Sequence, residues 1–221
     1  MEKLNSFTGE YQLQRWPVIK KENLRAWDAA DEYLLKHLHE HKLINPRTLI
    51  VNDQFGALST CLNHLAPVNW SDSYISHASA SHNMALNNMK PLFTALPMTE
   101  IPEGTFGLII IKIPKSKALL EYQLKLISKL TNKDTVLIGA AMTKHIHNST
   151  VSMFEDIIGI TRTSLAIKKS RLIFASCHDI IPQTNLPVPS SYYQDDLKLQ
   201  LSNHANVFSR DNLDIGARFM I

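Results

Sequence analysis

The stretch TLIVNDQFGALSTCL, residues 48–62, decides the fold. A short apolar run ends at Asp53, and helical spacing begins at once, near Gly56. Such a strand–turn–helix corner is the opening unit of an open α/β sheet, whose ligands bind beyond the carboxyl ends of the strands. A nucleotide-binding corner of this kind carries closely spaced glycines, because a tight turn needs positive φ and a ligand must approach bare backbone. Here Phe55 stands where a glycine is expected and only Gly56 remains. The chain has no G-x-G and no G-x-x-x-x-G-K-[ST], which argues against a dinucleotide or P-loop site.

Working outward, strand and helix patterns alternate. Residues 22–41 have helical spacing of Trp27, Ala30, Leu34 and Leu38, with acids on other faces. Residues 68–72 (VNWSD) and PLFTAL read as further strands, and residues 75–89 as a helix with Ser76 as its N-cap. FGLIIIKIP, 106–114, is nearly all apolar, as a central parallel strand covered on both faces must be. A helix from Ser116 to Leu130 and a buried strand at 134–141 follow. Residues 161–177 read as two strands joined tightly at Lys168 and Lys169. The pattern predicts a doubly wound, mostly parallel α/β sheet closed by a C-terminal hairpin. The expected domains are residues 1–178, a Pro-rich linker at 179–193, and a short segment at 194–221.

Composition sets outer bounds. With 221 residues, 44% hydrophobic and 19% charged, the chain can bury one sizeable core. No apolar run approaches the ~20 residues of a membrane span, and the N-terminus lacks a secretory core, so a cytoplasmic protein without a membrane partner is expected. A net charge of +3 permits an anionic polymer as partner without demanding one. Cys61 and Cys177 form no C-x-x-C pair and read as small buried residues. His37, His39 and His41 lack the acid or cysteine that would complete a metal set, so no metal site is expected.

Two more corners lie at the carboxyl edge. Asp72, after the second strand, could accept hydrogen bonds from a ribose, but with no glycine loop beside it a helix-N-terminal acid is the better reading. After the fourth strand comes Lys112-Ile113-Pro114-Lys115. The order of elements with these three corners resembles a class I S-adenosylmethionine-dependent methyltransferase. In members that methylate the exocyclic amines of bases, the resemblance implies Asn or Asp, then Pro-Pro and an aromatic, at the last corner. Lys112 instead has three donors and no acceptor, and its charge opposes the cationic character that develops on the amine. The fold is therefore expected to be a degenerate, Rossmann-like copy whose methyl-transfer site is lost.

The resemblance extends to particular segments: AWDAADEYLL (26–35), LIVNDQFGALS (49–59), SDSYISHASASHNMALN (71–87), IKIPKSKALLEYQL (111–124) and HANVFSRDNLDIGARF (204–219). They are similar to the N-terminal half of bacterial large-subunit ribosomal RNA guanine-N2 methyltransferases, the methyltransferase G type, related to the methyltransferase C type that modifies small-subunit RNA. The resemblance implies a duplicated protein. Its first copy serves in recognition of 23S ribosomal RNA or in support. A second copy, expected beyond Ile221, would bind S-adenosylmethionine and carry catalysis. No catalytic or cofactor-binding residue is then expected in the present chain.

Cations can hold RNA phosphates without reading sequence. The candidates are Lys112, Lys115, Lys117 and Lys144 at the functional edge, and Arg162, Lys168, Lys169 and Arg171 in a second group. Phe55 and Tyr74 could stack on bases, although Phe55 is the better plug of a vacated pocket. The alternative is a scaffold that supports the catalytic half without touching RNA.

Overall fold

The computed structural model describes residues 3–43, 47–177 and 189–221. Two short strands, β1 (Lys3–Ser6) and β2 (Gly9–Gln12), form an N-terminal hairpin. The sheet strands are β3 (Thr48–Val51), β4 (Val68–Ser71), β5 (Thr94–Pro97), β6 (Leu108–Lys112), β7 (Val136–Met142), β8 (Thr161–Thr163) and β9 (Ser170–Ser176). Among the described residues they build a seven-stranded sheet in the order β5-β4-β3-β6-β7-β9-β8. The first five strands are parallel; β9 runs antiparallel between β7 and β8. The order reverses between β3 and β6, so the switch-point crevice lies at the carboxyl ends of those two strands.

The helices are α1 (Ala29–Glu40), α2 (Ala57–Cys61), α3 (Tyr74–Leu86), α4 (Lys117–Ile127) and α5 (Asn148–Ile157). All five residues of β6 are buried, and their alternation divides the core in two. Leu108 and Ile110 pack with Leu34, Leu38, Ile50 and Ile138 beneath α1. Ile109 and Ile111 pack with Leu120, Leu124, Ile127 and Phe154 beneath α4 and α5. Burying side chains of this size on both faces is the main driving force for the fold, at about 25 cal/mol per Å² of apolar surface.

Several elements differ from the sequence pattern. Helix α1 begins seven residues late, because Asp28 and Asp31 form a capping box inside the periodic run. Ser73, not Ser76, precedes α3; Ser76 is buried within the helix and its hydroxyl donates to the Asp53 carbonyl at 2.5 Å. The connection at Lys168 and Lys169 is as tight as expected, with φ of 48° and 60°, the left-handed pair of a two-residue hairpin. Residues 179–188 of the expected linker lie outside the described residues. Its last part, 190–193, belongs to a strand, β10 (Ser190–Gln194), paired with β11 (Leu199–Asn203). A short helix, α6 (Ile215–Met220), follows. No helix among the described residues is long and apolar enough to cross a membrane.

Candidate functional site

The β3–α2 corner is shaped by packing. Gly56 sits at φ 74°, and a Cβ there would lie 2.3 Å from the Ala80 Cα and 2.5 Å from its nitrogen. The glycine lets the start of α2 press against α3. Asp53, 2% exposed, accepts from the Leu58 and Ser59 amides at 3.2 and 2.7 Å and so caps the same helix. Burial pushes its carboxyl up, against the pull of those amides. Phe55 is half-buried against the α1-side core, and the Arg15 guanidinium lies 4.7 Å from its ring centre. Its carbonyl accepts from Asn83 Nδ2 at 2.8 Å.

Two polar clusters occupy the crevice between β3 and β6 and leave a cavity of about 110 Å³ beside Asp53 and Phe55. Asn52, at φ 63°, donates from Nδ2 to the Lys112 carbonyl and to Gln123 Oε1, both at 2.9 Å. Gln123 returns a bond from Nε2 to Asn52 Oδ1 at 2.7 Å. This amide pair lies beneath β6, with Gln123 fully buried in α4. On the α1 side, Lys112 Nζ reaches Asp31 Oδ1 at 2.6 Å and Asp28 Oδ1 at 2.9 Å. Burial works to depress the lysine, but the two carboxylates outweigh it and hold the ammonium above its ordinary value. One ammonium faces two carboxylates. Burial raises Asp31 to about 6 in spite of Lys112, with the neighbouring Asp28 charge adding to the rise. Asp28 is the more exposed of the two, and although burial opposes it, Lys112 and the helix amides bring it below the usual carboxylate range.

Lys112 therefore departs from the expected role. It is 8% exposed and bound to α1, so it does not present its charge to a phosphate. The physical reason is that β6 ends under α1, whose capping acids draw the side chain inward. Lys115, Lys117 and Lys144 are exposed at the carboxyl edge. Lys115 and Lys144 meet about His145; burial, then these two ammonium groups, depress its pKa. Lys169 joins the same edge, since its carbonyl accepts from Thr143 at 2.8 Å beside Lys144. Lys168 is exposed there too, paired with Glu32 at 2.8 Å. The second expected group is otherwise divided. Arg162 lies along the sheet margin over the Phe174 ring, and Arg171 is half-buried with its Nε lacking a hydrogen-bond partner.

At the other side of the switch point, Asp72 is exposed beside a mostly apolar cavity of about 330 Å³ lined by Tyr74, His77, Met98, Leu119 and Tyr122. The segment after β11 crosses its mouth, and Asn206 Nδ2 donates to Asp72 at 2.6 Å. Tyr74 is 83% exposed at this rim. The histidines of α1 are used in packing: His39 stacks on Phe7 at 4.0 Å, and His37 lies against His41 and Phe174. Cys61 is buried and Cys177 half-buried, both as free thiols.

The residues that occupy the crevice, Asn52, Gln123, Asp28 and Asp31, do not stand out in the sequence as site residues. Two signals are present all the same. Gln123 interrupts the apolar face of α4, and Asp28-x-x-Asp31 has capping-box spacing.

Strand order, the antiparallel β9 and an edge site at the β3–β6 switch point define the class I methyltransferase fold. Solved structures bear this out. A T. thermophilus 16S rRNA N2 methyltransferase in complex with AdoMet and guanosine aligns with TM-score 0.60 at 17% identity, over 80% of this chain and 50% of that one. A ribosomal protein L11 methylase from Lactobacillus delbrueckii subsp. bulgaricus aligns with TM-score 0.55 at 16% identity, over 74% and 89%. The chain belongs to the RLMG N-terminal domain family, which matches residues 1–179. It is 42% identical over 229 residues to the ribosomal RNA large subunit methyltransferase G of Yersinia pestis, covering all of this chain and 56% of that protein. The Yersinia enterocolitica protein of the same name is 42% identical over 217 residues. The chain spans a little over half the length of these curated relatives.

Proposed function

We propose that this chain is the RNA-recognition half of an S-adenosylmethionine-dependent 23S rRNA (guanine-N2)-methyltransferase, acting in the cytoplasm. In it residues 1–178 form a degenerate methyltransferase domain and residues 194–221 lead toward the half that holds the donor and catalyses. The carrying observation is the narrowed crevice. Asn52 and Gln123 satisfy one another where a donor would need open backbone, and the Lys112–Asp31–Asp28 cluster, with Asp53 and Phe55, leaves a cavity of only about 110 Å³ beside them, well under the roughly 300 Å³ at the lower end of ligand pockets. The residues present do not fit the donor, and no chemical step is assigned to them. Opening the crevice would leave buried amides and charges unpaired, at about 1–3 kcal/mol for each neutral group and more for a charge.

The partner is sought at the carboxyl edge, where Lys115, Lys117, Lys144, Lys168 and Lys169 share one margin. Binding phosphates there releases counterions, so affinity falls steeply with salt. Titration of the chain with protein-free ribosomal RNA across a salt series tests this. Replacing Lys115, Lys117, Lys144 and Lys169 by alanine should weaken binding and flatten the dependence by about 0.7–0.9 in log–log slope for each phosphate that is no longer neutralised. Calorimetry with S-adenosylmethionine should give no saturable heat. A saturable donor signal, or RNA affinity indifferent to salt and to the four lysines, overturns the proposal.

A further inference from the structure

The lysines do not account for a second surface, built by residues 13–27 and the β3–α2 corner. Asn83 in the last turn of α3 and Asn87 at its C-cap hold this segment by its backbone: Asn87 exchanges two bonds with Gln12, and Asn83 exchanges two with Gln14. From that anchored base the side chains form a row of stacks. Trp16 lies against His82 with ring centres 4.7 Å apart. Arg15 covers the Phe55 ring, and its Nε donates to the Arg25 carbonyl at 2.8 Å. Arg25 in turn lies 5.3 Å over the Trp27 ring. A cleft of about 390 Å³ opens beside Arg15, Arg25 and Trp27, with Lys21 and Glu22 on its walls.

Within the segment the charge is one-sided, while Glu32 of α1 pairs with Arg25 at 3.5 Å from outside it. Between residues 15 and 25 stand Arg15, Lys20, Lys21 and Arg25 against Glu22 alone. Trp16 is 39% exposed, whereas Trp27 and Trp70 are 7% and 0% exposed. Arg15, Arg25 and Phe55 line one small cavity with Asp28, Asp31, Asp53 and Lys112.

We infer that this row is a binding surface for an unpaired RNA strand, with bases stacking on Trp16 and on the outer face of the Arg15 guanidinium while the neighbouring cations hold phosphates. The inference rests on the RNA-recognition role proposed above and adds the class of RNA and the side chains that select it. Flat rings and guanidinium planes can receive bases only where those bases are unstacked, which a duplex does not offer. A guanidinium already seated on an aromatic ring is held flat, so little order is lost when a base arrives. Lysines without rings, as at the Lys144 edge, bind strand and duplex alike.

The test uses the 221-residue chain with a short oligouridine strand and a duplex RNA of the same length. The intrinsic fluorescence of Trp16 should quench as the single strand binds. Trp16→Ala and Arg15→Lys should each lower affinity for the strand about tenfold, the scale of losing one base stack, and leave duplex affinity unchanged. Trp16→Phe, which keeps a ring, should retain most of the affinity. Arg15→Lys keeps the charge, so a loss there reads the plane. If the wild type binds the strand and these variants bind it equally, the inference fails and the proposed function stands. If the wild type binds neither RNA, both fail.

Discussion

Replacing Lys112 by methionine is the sharpest test of the narrowed crevice. The substitution keeps the unbranched stem and removes the ammonium that faces Asp31 at 2.6 Å and Asp28 at 2.9 Å. Asp31 is then left buried, its side chain 8% exposed, with no counter-charge. Removing one partner of a buried ion pair costs about 3–5 kcal/mol. Asp28 adds little, because its side chain is 45% exposed and water screens it. The loss also has a pH signature. Asp31 already takes its proton near 6, and without Lys112 its folded-state pKa rises further. A neutral carboxyl needs no counter-charge, so the defect should be largest above pH 7 and shrink as the pH falls below the folded pKa. Urea unfolding at pH 8 and at pH 5 measures both. The double variant Lys112→Met with Asp31→Asn should recover most of the loss at pH 8. A loss below about 1 kcal/mol that is the same at both pH values refutes the reasoning.

Three further outcomes are expected. In the otherwise unaltered protein, Asp31 is raised in the folded state from 3.8 to about 6, so its ionisation lowers stability as the pH rises through that window; Asp31→Asn should remove that slope in unfolding experiments between pH 4 and 7. Gln123→Ala should cost about 1–3 kcal/mol by leaving the Asn52 amide half-satisfied, and adding Asn52→Ala should cost less than the sum of the two changes, as denaturant midpoints will show. Gly56→Ala combines a left-handed φ with a 2.3 Å approach to the Ala80 backbone, so a loss of about 2–5 kcal/mol in thermal or chemical unfolding is expected.

The parallel strands were legible because a strand covered on both faces has to be apolar throughout, and FGLIIIKIP could be little else. The N-terminal hairpin was not, since its hairpin text is polar and it buries few residues, Leu4 and Tyr11 among them. The start of α1 was overrun because Trp27 and Ala26 are buried next to the helix and share its periodicity without belonging to it. The strand ends that make the corners lie close to where the pattern puts them, but the pairings their side chains make were not legible. Lys112 meets Asp31 across 81 residues of chain, and no local pattern announces such a pairing. The same holds for Asn52 and Gln123, which are 71 positions apart. Arg15 and Phe55 look unrelated in sequence until the asparagines of α3 bring the N-terminal segment over the corner.

Gly56 has a consequence for how protein sequences are searched. A scan that scores glycine after the first strand credits this position toward a nucleotide, yet the atoms nearest the missing methyl group are those of Ala80. Selection acting on the helix crossing alone would preserve the same letter indefinitely, long after any ligand had gone. In this chain the solitary glycine marks two helices in close passage, and telling it from a relic of chemistry requires knowing what stands opposite.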